Sequence, residues 1–252
     1  MEILGIDIGG SGIKGALVDT QQGKFSSERH RLQTPSSLRP EEVLEAVCAV
    51  VGHFAGYEGP VGVGFPAVVV EGSPRTPFTA HQIKSWVGFP VARWLGERLG
   101  RPVTMLNDAD AAGIAEMRFG NGRGEKGVVL ILTLGTGIGS ALFVDGHLLP
   151  NTEFGHIYLP GRRERSEEFT SDRIRDELDL SWEAFAARLD EFLNHVDHLF
   201  SPHLIILGGG ISKKHEKYIP RLTVSTRVIP ARLRNRAGII GAATAVAEGW
   251  SN

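Results

Sequence analysis

The chain has 252 residues, of which 42% are hydrophobic, so it can form one large domain or two smaller ones around a substantial core. Its net charge of −2 and its one cysteine, Cys48, exclude a global attraction to nucleic acid, a disulfide framework and a zinc site built from several thiolates. No basic and apolar leader follows Met1 and the apolar runs have only strand length, so we expect a cytoplasmic protein that neither binds nucleic acid nor enters a membrane.

The first apolar segment ends in a run of glycines. Residues 3–8 (ILGIDI) predict a buried strand, residues 13–19 (IKGALVD) a second strand and residues 24–34 a third. Residues 10–15 (GSGIKG) fit the dinucleotide pattern G-x-G-x-x-G, which requires a helix directly after its glycines. Because a strand follows here, the pattern does not indicate a nicotinamide site.

The middle of the chain alternates between helices and strands. The pattern predicts helices over 40–54, 91–99 and 108–119, and strands over 61–66 and 103–106. Residues 71–88 are rich in Gly, Pro, Ser and Thr, which predicts an ordered functional loop or the edge of a lid. The fold class is therefore α/β.

The second half repeats the pattern of the first. Residues 127–146 predict a strand, a glycine turn and a second strand that ends in the hairpin turn Asp145-Gly146. ILGIDIGGSGIKGALVD and LILTLGTGIGSALFVDG run in parallel, which predicts two similar halves with a ligand between them. After them we expect a charged surface segment over 161–177, a helix over 180–200, a strand over 203–211 and a closing helix over 239–249.

Glycine-rich turns let backbone N–H groups approach phosphate oxygens with no Cβ in the way. One such turn alone would indicate a tight hairpin, but two matched turns and a third glycine run favour phosphate binding. We expect phosphate contacts from Gly9, Gly10, Ser11 and Gly12, from Gly135, Thr136, Gly137 and Gly139, and from Gly209 and Gly210. Lys14 follows the first turn. Its position is equally consistent with a cation that neutralises phosphate and with a solvated lysine on a strand.

Four stretches carry a resemblance to a known family. They are GIDIGGSGIKGALVD, LNDADAAGIAEMRFG, LTLGTGIGSALFVDGHLLPNTEFGH and LSWEAFAARLDEFLNHVDHLFSPHLIILGGGISKK. Through them nearly the whole chain resembles the ROK family of sugar kinases and repressors, and within it the bacterial polyphosphate glucokinases. The resemblance implies the actin-like ATPase and ribonuclease H-like fold, with two similar lobes and a ligand cleft between them.

The resemblance also implies the limits of the lobes. The N-terminal lobe is expected over 1–109 with 238–252, and the C-terminal lobe over 110–237. Family members commonly form homodimers, so we expect a homodimer here. The first strand begins at residue 3, which leaves no room for the N-terminal DNA-binding domain of the repressors, so we expect a kinase.

The implied reaction is phosphoryl transfer from inorganic polyphosphate to the 6-hydroxyl of glucose, with ATP left open as a second donor. By resemblance Asp108 is the general base, and Asp7 helps to hold Mg²⁺, often through water. Asn107, Glu153 and His156 bind sugar hydroxyls together with Asp108. Without the resemblance, Asp7 is typical of a turn, Asn107-Asp108 of a helix cap and His156 of an ordinary loop.

Two residues depart from the family pattern on the expected sugar side. The family tends to show N-V-D-K-S-W where this chain has HQIKSW, so His81 stands in place of the expected sugar-binding asparagine. The family favours F-P-G where this chain has F-P-A, and Ala67 would be strained if that position required a positive φ. In many members the histidine at the position of His156 also binds zinc with three cysteines, which are missing here, so we expect no zinc.

Two other functions stay open. One is an ATP-dependent kinase of glucose, mannose or another polyol. The other is a non-catalytic sugar sensor on a kinase scaffold, which is disfavoured because Asp7 and Asp108 are both present.

A polyphosphate donor would need an open basic groove. The candidate residues for such a groove are Lys14, Arg75, Lys84, Lys213 and Lys214. They are equally consistent with scattered surface charges.

Overall fold

The computed structural model describes residues 1–78 and 83–250. Its strands are β1 (Glu2–Gly9), β2 (Gly12–Asp19), β3 (Lys24–Phe25), β4 (His30–Leu32), β5 (Val61–Phe65), β6 (Val69–Val70), β7 (Ser73–Pro74), β8 (Val103–Asn107), β9 (Val128–Leu134), β10 (Ile138–Val144), β11 (His147–Leu149), β12 (Leu204–Gly209) and β13 (Arg227–Pro230). Its α-helices are α1 (Pro40–Gly52), α2 (Val91–Leu99), α3 (Asp108–Phe119), α4 (Ser166–Thr170), α5 (Asp172–Glu177), α6 (Trp182–Phe200) and α7 (Ala237–Ala247). Within the described ranges, no helix has the length and apolar character needed to span a membrane.

By its internal packing the chain forms two compact units, Met1–Ala115 with Arg236–Asn252, and Glu116–Asn235. The sheet of the first unit has the strand order β3-β2-β1-β5-β8, with β4 also paired to β2. Strand β1 is antiparallel to β2 and parallel to β5, and β5 is parallel to β8. The glycine turn therefore joins an antiparallel hairpin, and no helix follows it.

The second unit has a sheet of the order β11-β10-β9-β12-β13. Here β9 is antiparallel to β10 and parallel to β12, and β12 is parallel to β13. The core lies between this sheet and the long helix α6, whose Phe185, Leu189 and Phe192 are fully buried. The repeat seen in the sequence thus corresponds to one strand arrangement that occurs in both units.

Helix α7 packs very closely against the sheet of the first unit. A Cβ atom on Gly5 would lie 2.1 Å from the carbonyl oxygen of Ile239, and one on Gly62 would lie 2.0 Å from that of Ala242. Both distances are far below van der Waals contact, so only glycine fits at these two strand positions. The alanine-rich sequence of α7 allows the same close approach from the helix side.

Two local expectations were wrong. The strand expected over 24–34 is broken into β3 and β4, because the backbone N–H of Leu17 donates to Ser27 Oγ at 3.0 Å instead of continuing the ladder. The segment 161–177, expected on the surface because it is charged, contains α4 and α5. Ser166, Thr170 and Ser171 in it are fully buried and Glu167 is partly buried, so the segment follows the expectation only in part.

Candidate active site

The first glycine turn is a two-residue hairpin. Gly9 pairs with Gly12 across β1 and β2, which leaves Gly10 and Ser11 in the loop. A Cβ on Gly10 would meet nothing within 4 Å, and Gly10 does not have a positive φ. Neither the backbone conformation nor the packing of the described residues therefore requires glycine at position 10. The open space above it suits the close approach of a ligand oxygen.

The second glycine turn joins β9 to β10 through three loop residues, since Leu134 pairs with Ile138. Gly135 also has no positive φ, and a Cβ on it would meet nothing within 4 Å. Gly137 differs, because a Cβ there would lie 2.3 Å from Glu167 Oε2. Arg173 stabilises the turn from α5, where its backbone N–H donates to the carbonyl of Gly135 at 3.1 Å and its Nε to that of Thr136 at 3.0 Å.

The remaining predicted phosphate residues lie in more confined places. Gly139 is inside β10, paired with Thr133, and so belongs to the ladder and not to the turn. Gly209 ends β12 with φ +83°, and a Cβ on it would lie 2.1 Å from the carbonyl oxygen of Leu134. Gly210 begins the 3-10 segment Gly210–Lys217. Glycine at 209 is therefore explained by the fold itself, whereas glycine at 10 and 135 is not.

Asp7 and Lys14 face each other across the first hairpin. They are a direct cross-strand pair, and Lys14 Nζ donates to Asp7 Oδ2 at 3.1 Å. Both side chains are partly buried, so the Lys14 cation is held beside the Asp7 carboxylate next to the first glycine turn. In the described part of the chain no group of three or more His, Cys, Asp or Glu side chains could hold a metal ion. Asp7 would thus bind a cation as a single carboxylate, which is how Mg²⁺ is often held beside phosphates.

Asn107 and Asp108 lie at the junction of β8 and α3. The Asn107 carbonyl Oδ1 accepts the backbone N–H groups of Ala109 at 2.8 Å and Asp110 at 3.0 Å, so Asn107 caps the helix. Its Nδ2 donates to the carbonyl of Ala67 at 3.0 Å, which leaves one N–H for a further partner. This cap fixes the first turn of α3, where the half-buried Asp108 lies at the carboxyl end of a parallel strand.

Glu153 and His156 belong to a small cluster of charged groups in the second unit. His156 Nδ1 lies 3.8 Å from Glu153 Oε2, and His156 Nε2 lies 3.5 Å from Glu167 Oε1. The hydrogen bond with Glu167 raises the pKa of His156 above its ordinary value. Burial raises the pKa of Glu153. Burial opposes ionisation of Glu167 too, but its contacts with His156 and with the backbone N–H of Ile138 outweigh burial and lower its pKa.

Sequence reasoning missed Glu167. Its Oε2 accepts the N–H of Ile138 at 3.4 Å, directly after the second glycine turn, while its Oε1 faces His156. One carboxylate therefore joins the glycine turn to the histidine. The charged character of the segment around Glu167 is a surface signal, and nothing local in it shows that this acid turns toward His156 and the glycine turn.

The expected sugar contact of His81 lies outside the described residues. The residues on either side of that gap, Phe78 and Ile83, pair as an isolated bridge. Phe78 packs with Phe65 and Trp86, and Trp86 Nε1 donates to the carbonyl of Leu38 at 2.9 Å. Ala67 has no positive φ, so the strain that would have followed from one is not present at this position.

The candidate residues of the predicted basic groove are divided between the two units. Lys14 is paired with Asp7, and Arg75 lies 4.0 Å from Glu71, so both of these charges have a partner. Lys213 and Lys214 are exposed on the 3-10 segment of the second unit.

Comparison with known proteins adds to this geometry. The model of the ROK family matches residues 3–170. Polyphosphate glucokinase of Mycobacterium tuberculosis (strain CDC 1551 / Oshkosh) is 44% identical over 242 residues, which cover 96% of this chain and 89% of that protein. The inorganic polyphosphate/ATP-glucomannokinase of Arthrobacter sp. strain KM has a similar structure, with a TM-score of 0.92, 46% identity, and coverage of 98% of this chain and 99% of that one.

A second solved structure is similar at a greater distance. It is a ROK family glucokinase from Streptomyces griseus in complex with glucose and AMPPNP. It has a TM-score of 0.79 and 25% identity, and the match covers 96% of this chain and 98% of that chain. The actin-like fold with two lobes is therefore the fold of this chain.

Proposed function

The chain belongs to the ROK family, and from this premise we propose that it is a polyphosphate-dependent glucokinase. It transfers a phosphoryl group from inorganic polyphosphate to the 6-hydroxyl of glucose, and the comparison of donors below decides whether ATP is a second donor. The names of the relatives support this proposal, since one is a polyphosphate glucokinase and another uses polyphosphate or ATP.

One observation in the structure carries the donor side of the proposal. Gly10 and Gly135 occupy matched hairpin turns, and the described residues require glycine at neither position. The open space above both glycines is room that a ligand can occupy next to the backbone. Backbone N–H groups without a Cβ nearby suit phosphate oxygens, which carry the charge that phosphoryl transfer must stabilise.

On the acceptor side, Asp108 is the proposed general base. Its carboxylate takes the proton of the sugar hydroxyl as that oxygen attacks the terminal phosphorus, and the bond from this phosphorus to the bridging oxygen breaks, so the donor leaves one phosphate shorter. Asn107 holds Asp108 in place through the helix cap, and its remaining N–H binds a neighbouring hydroxyl. Glu153 and His156 bind further hydroxyls, with Glu167 fixing the orientation of the imidazole.

The reaction requires a divalent cation, and we propose Mg²⁺ held in part by Asp7. When bound, Mg²⁺ neutralises the charge on the phosphate oxygens. Lys14 holds the Asp7 carboxylate in position and supplies a second positive charge beside the first glycine turn. The single carboxylate fits a metal that takes most of its remaining ligands from phosphate and water.

The deciding experiment is a donor comparison. Purified protein with Mg²⁺ and glucose is supplied with polyphosphate or ATP, and glucose 6-phosphate is measured. Strong turnover with polyphosphate supports the proposal. Turnover with ATP alone would instead assign the ATP-dependent sugar kinase, and binding of glucose without turnover on either donor would assign the sensor.

Four expectations remain proposals that this experiment does not address. They are the cytoplasmic location, the homodimer, the lack of a zinc site, and the lobe limits 1–109 with 238–252 and 110–237. Gel filtration tests the dimer and metal analysis tests the zinc.

A further inference from the structure

A group of cations surrounds one tryptophan in the second unit. Arg175 Cζ lies 4.1 Å from the centroid of the Trp182 ring, Lys217 Nζ lies 5.4 Å from it and Lys214 Nζ 5.6 Å. The ring of Tyr218 lies nearly parallel to that of Trp182, with 6.1 Å between centroids. We call these five residues the Trp182 cluster. Sequence reasoning singled out Lys214 but none of the other four.

Polar atoms in and beside this cluster lack partners. Within the described ranges, Arg175 Nε, the Tyr218 hydroxyl and His215 Nδ1 are buried and make no hydrogen bond. Tyr218 is fully buried. Burial, with a smaller contribution from Asp172, raises the pKa of Tyr218, so its hydroxyl stays a donor at neutral pH. Buried polar atoms are nearly always paired in native proteins, and here two of the three are donors, which an anion would satisfy.

Helix α5 connects the Trp182 cluster with the second glycine turn. Arg173 bonds to the carbonyls of Gly135 and Thr136, and Arg175 lies two residues further along the same short helix. Residues two apart in a helix differ by about 200° around its axis, so the side chains of the two arginines leave α5 on opposite faces, and the link between the turn and the cluster runs through the body of this helix. Asp172 of that helix also lies close to Gly210, where the 3-10 segment that carries Lys214 and Lys217 begins.

We propose that the Trp182 cluster is a distal anion subsite, which binds phosphate units of a long polyphosphate donor beyond those held at the second glycine turn. This inference rests on the proposed function. A nucleobase fits less well, because the guanidinium of Arg175 already lies over the ring on which a base would stack. A flexible chain of phosphates needs only cations and N–H or O–H donors along its path, and the cluster supplies both.

Two carboxylates lie close to this subsite. Asp176 accepts a hydrogen bond from Arg175 Nη1 at 2.5 Å and so offsets part of the charge of that arginine. Asp172 interacts with Arg175, Lys214 and Asp176. A carboxylate beside an anion subsite weakens it, so removal of the Asp172 charge should strengthen binding. Loss of the Asp172 charge should therefore strengthen donor binding, whereas loss of the lysine charges should weaken it. A cluster with only a structural role would not show these opposite effects on binding.

The test compares donors of two lengths. The double variant Lys214→Met with Lys217→Met and the single variant Asp172→Asn are assayed with long-chain polyphosphate, tripolyphosphate and ATP. A matched control, Lys24→Met with Lys126→Met, removes two exposed lysines elsewhere. Binding of long-chain polyphosphate is also measured by titration calorimetry without glucose.

For the double lysine variant we expect KM for long-chain polyphosphate to rise about tenfold, which corresponds to about 1.4 kcal/mol. The kcat value and the KM values for tripolyphosphate and glucose should stay unchanged, and Asp172→Asn should lower KM for the long donor.

Unchanged binding of long-chain polyphosphate in both variants, or an equally large effect in the control variant, would overturn the proposed subsite. A rise in KM for ATP alone would assign the cluster to a nucleotide. If the unaltered protein turns over no polyphosphate at all, the proposed function fails before the subsite is reached.

Discussion

Asn107 donates a hydrogen bond through Nδ2 to the backbone carbonyl of Ala67, 40 residues earlier in the chain, while its Oδ1 caps helix α3. One buried amide therefore joins the loop after β5 to the first turn of the helix that carries Asp108. The position of the proposed base depends on both bonds.

Replacing Asn107 with alanine should lower both stability and turnover. The lost cap and the unpaired carbonyl of Ala67 together cost about 2 kcal/mol. Asn107→Ser can still cap the helix but cannot reach Ala67, so we expect it to recover about half of that loss. Denaturant unfolding measures the stability. Equal stability of the alanine and serine variants would contradict the role of the cap.

Replacing the glycines of the two hairpin turns should weaken phosphate binding and leave the stability of the fold almost unchanged. Gly10→Ala and Gly135→Ala place a methyl group in open space, so their melting temperatures should stay close to that of the unaltered protein. Their KM for polyphosphate should rise, because the methyl group blocks the approach of phosphate oxygens. Gly62→Ala is the matched contrast and should unfold the first unit, since its Cβ would lie 2.0 Å from the carbonyl oxygen of Ala242. Unchanged kinetics in both turn variants would remove the turns from the donor site.

Asp108→Asn should bind glucose almost normally and lose turnover. A general base contributes about 10²–10⁴-fold to the rate, and we expect kcat to fall within that range. Steady-state kinetics with glucose titration checks this, with Glu41→Gln on the exposed face of α1 as the control. Near-normal kcat in Asp108→Asn would exclude it as the base.

The contact between His156 and Glu167 should make stability depend on pH. The folded-state pKa of His156 is raised, so its contribution is complete below its ordinary value and is lost as the pH rises through the raised value. The pKa of Glu167 is lowered, so its contribution holds above its ordinary value and is lost only as the pH falls through the lowered one.

This dependence can be measured as a difference between two proteins. The melting temperature of the unaltered protein should exceed that of Glu167→Gln by more at about pH 6 than at about pH 9. Glu41→Gln on α1, exposed to solvent and far along the chain, gives the control. A difference that grows toward alkaline pH would contradict the ion pair.

The amino-acid sequence by itself determined the features that depend on neighbours along the chain. The two glycine hairpins, the start of α3 at Asn107-Asp108 and the repeated strand pattern were predicted, because apolar alternation, turn residues and helix caps act over a few residues. The four motif stretches were long enough to indicate the family, which the comparisons confirm.

Tertiary structure alone decided which distant side chains meet. Glu167 reaches both His156 and the turn at Gly137, and Arg175, Lys214 and Lys217 gather around Trp182, although these residues lie on separate segments of the chain. Charge runs are a surface signal in any sequence, so they do not reveal which single side chain turns inward. That choice follows from packing, since the sheet and α6 fix where each segment lies and only then which polar atoms find partners.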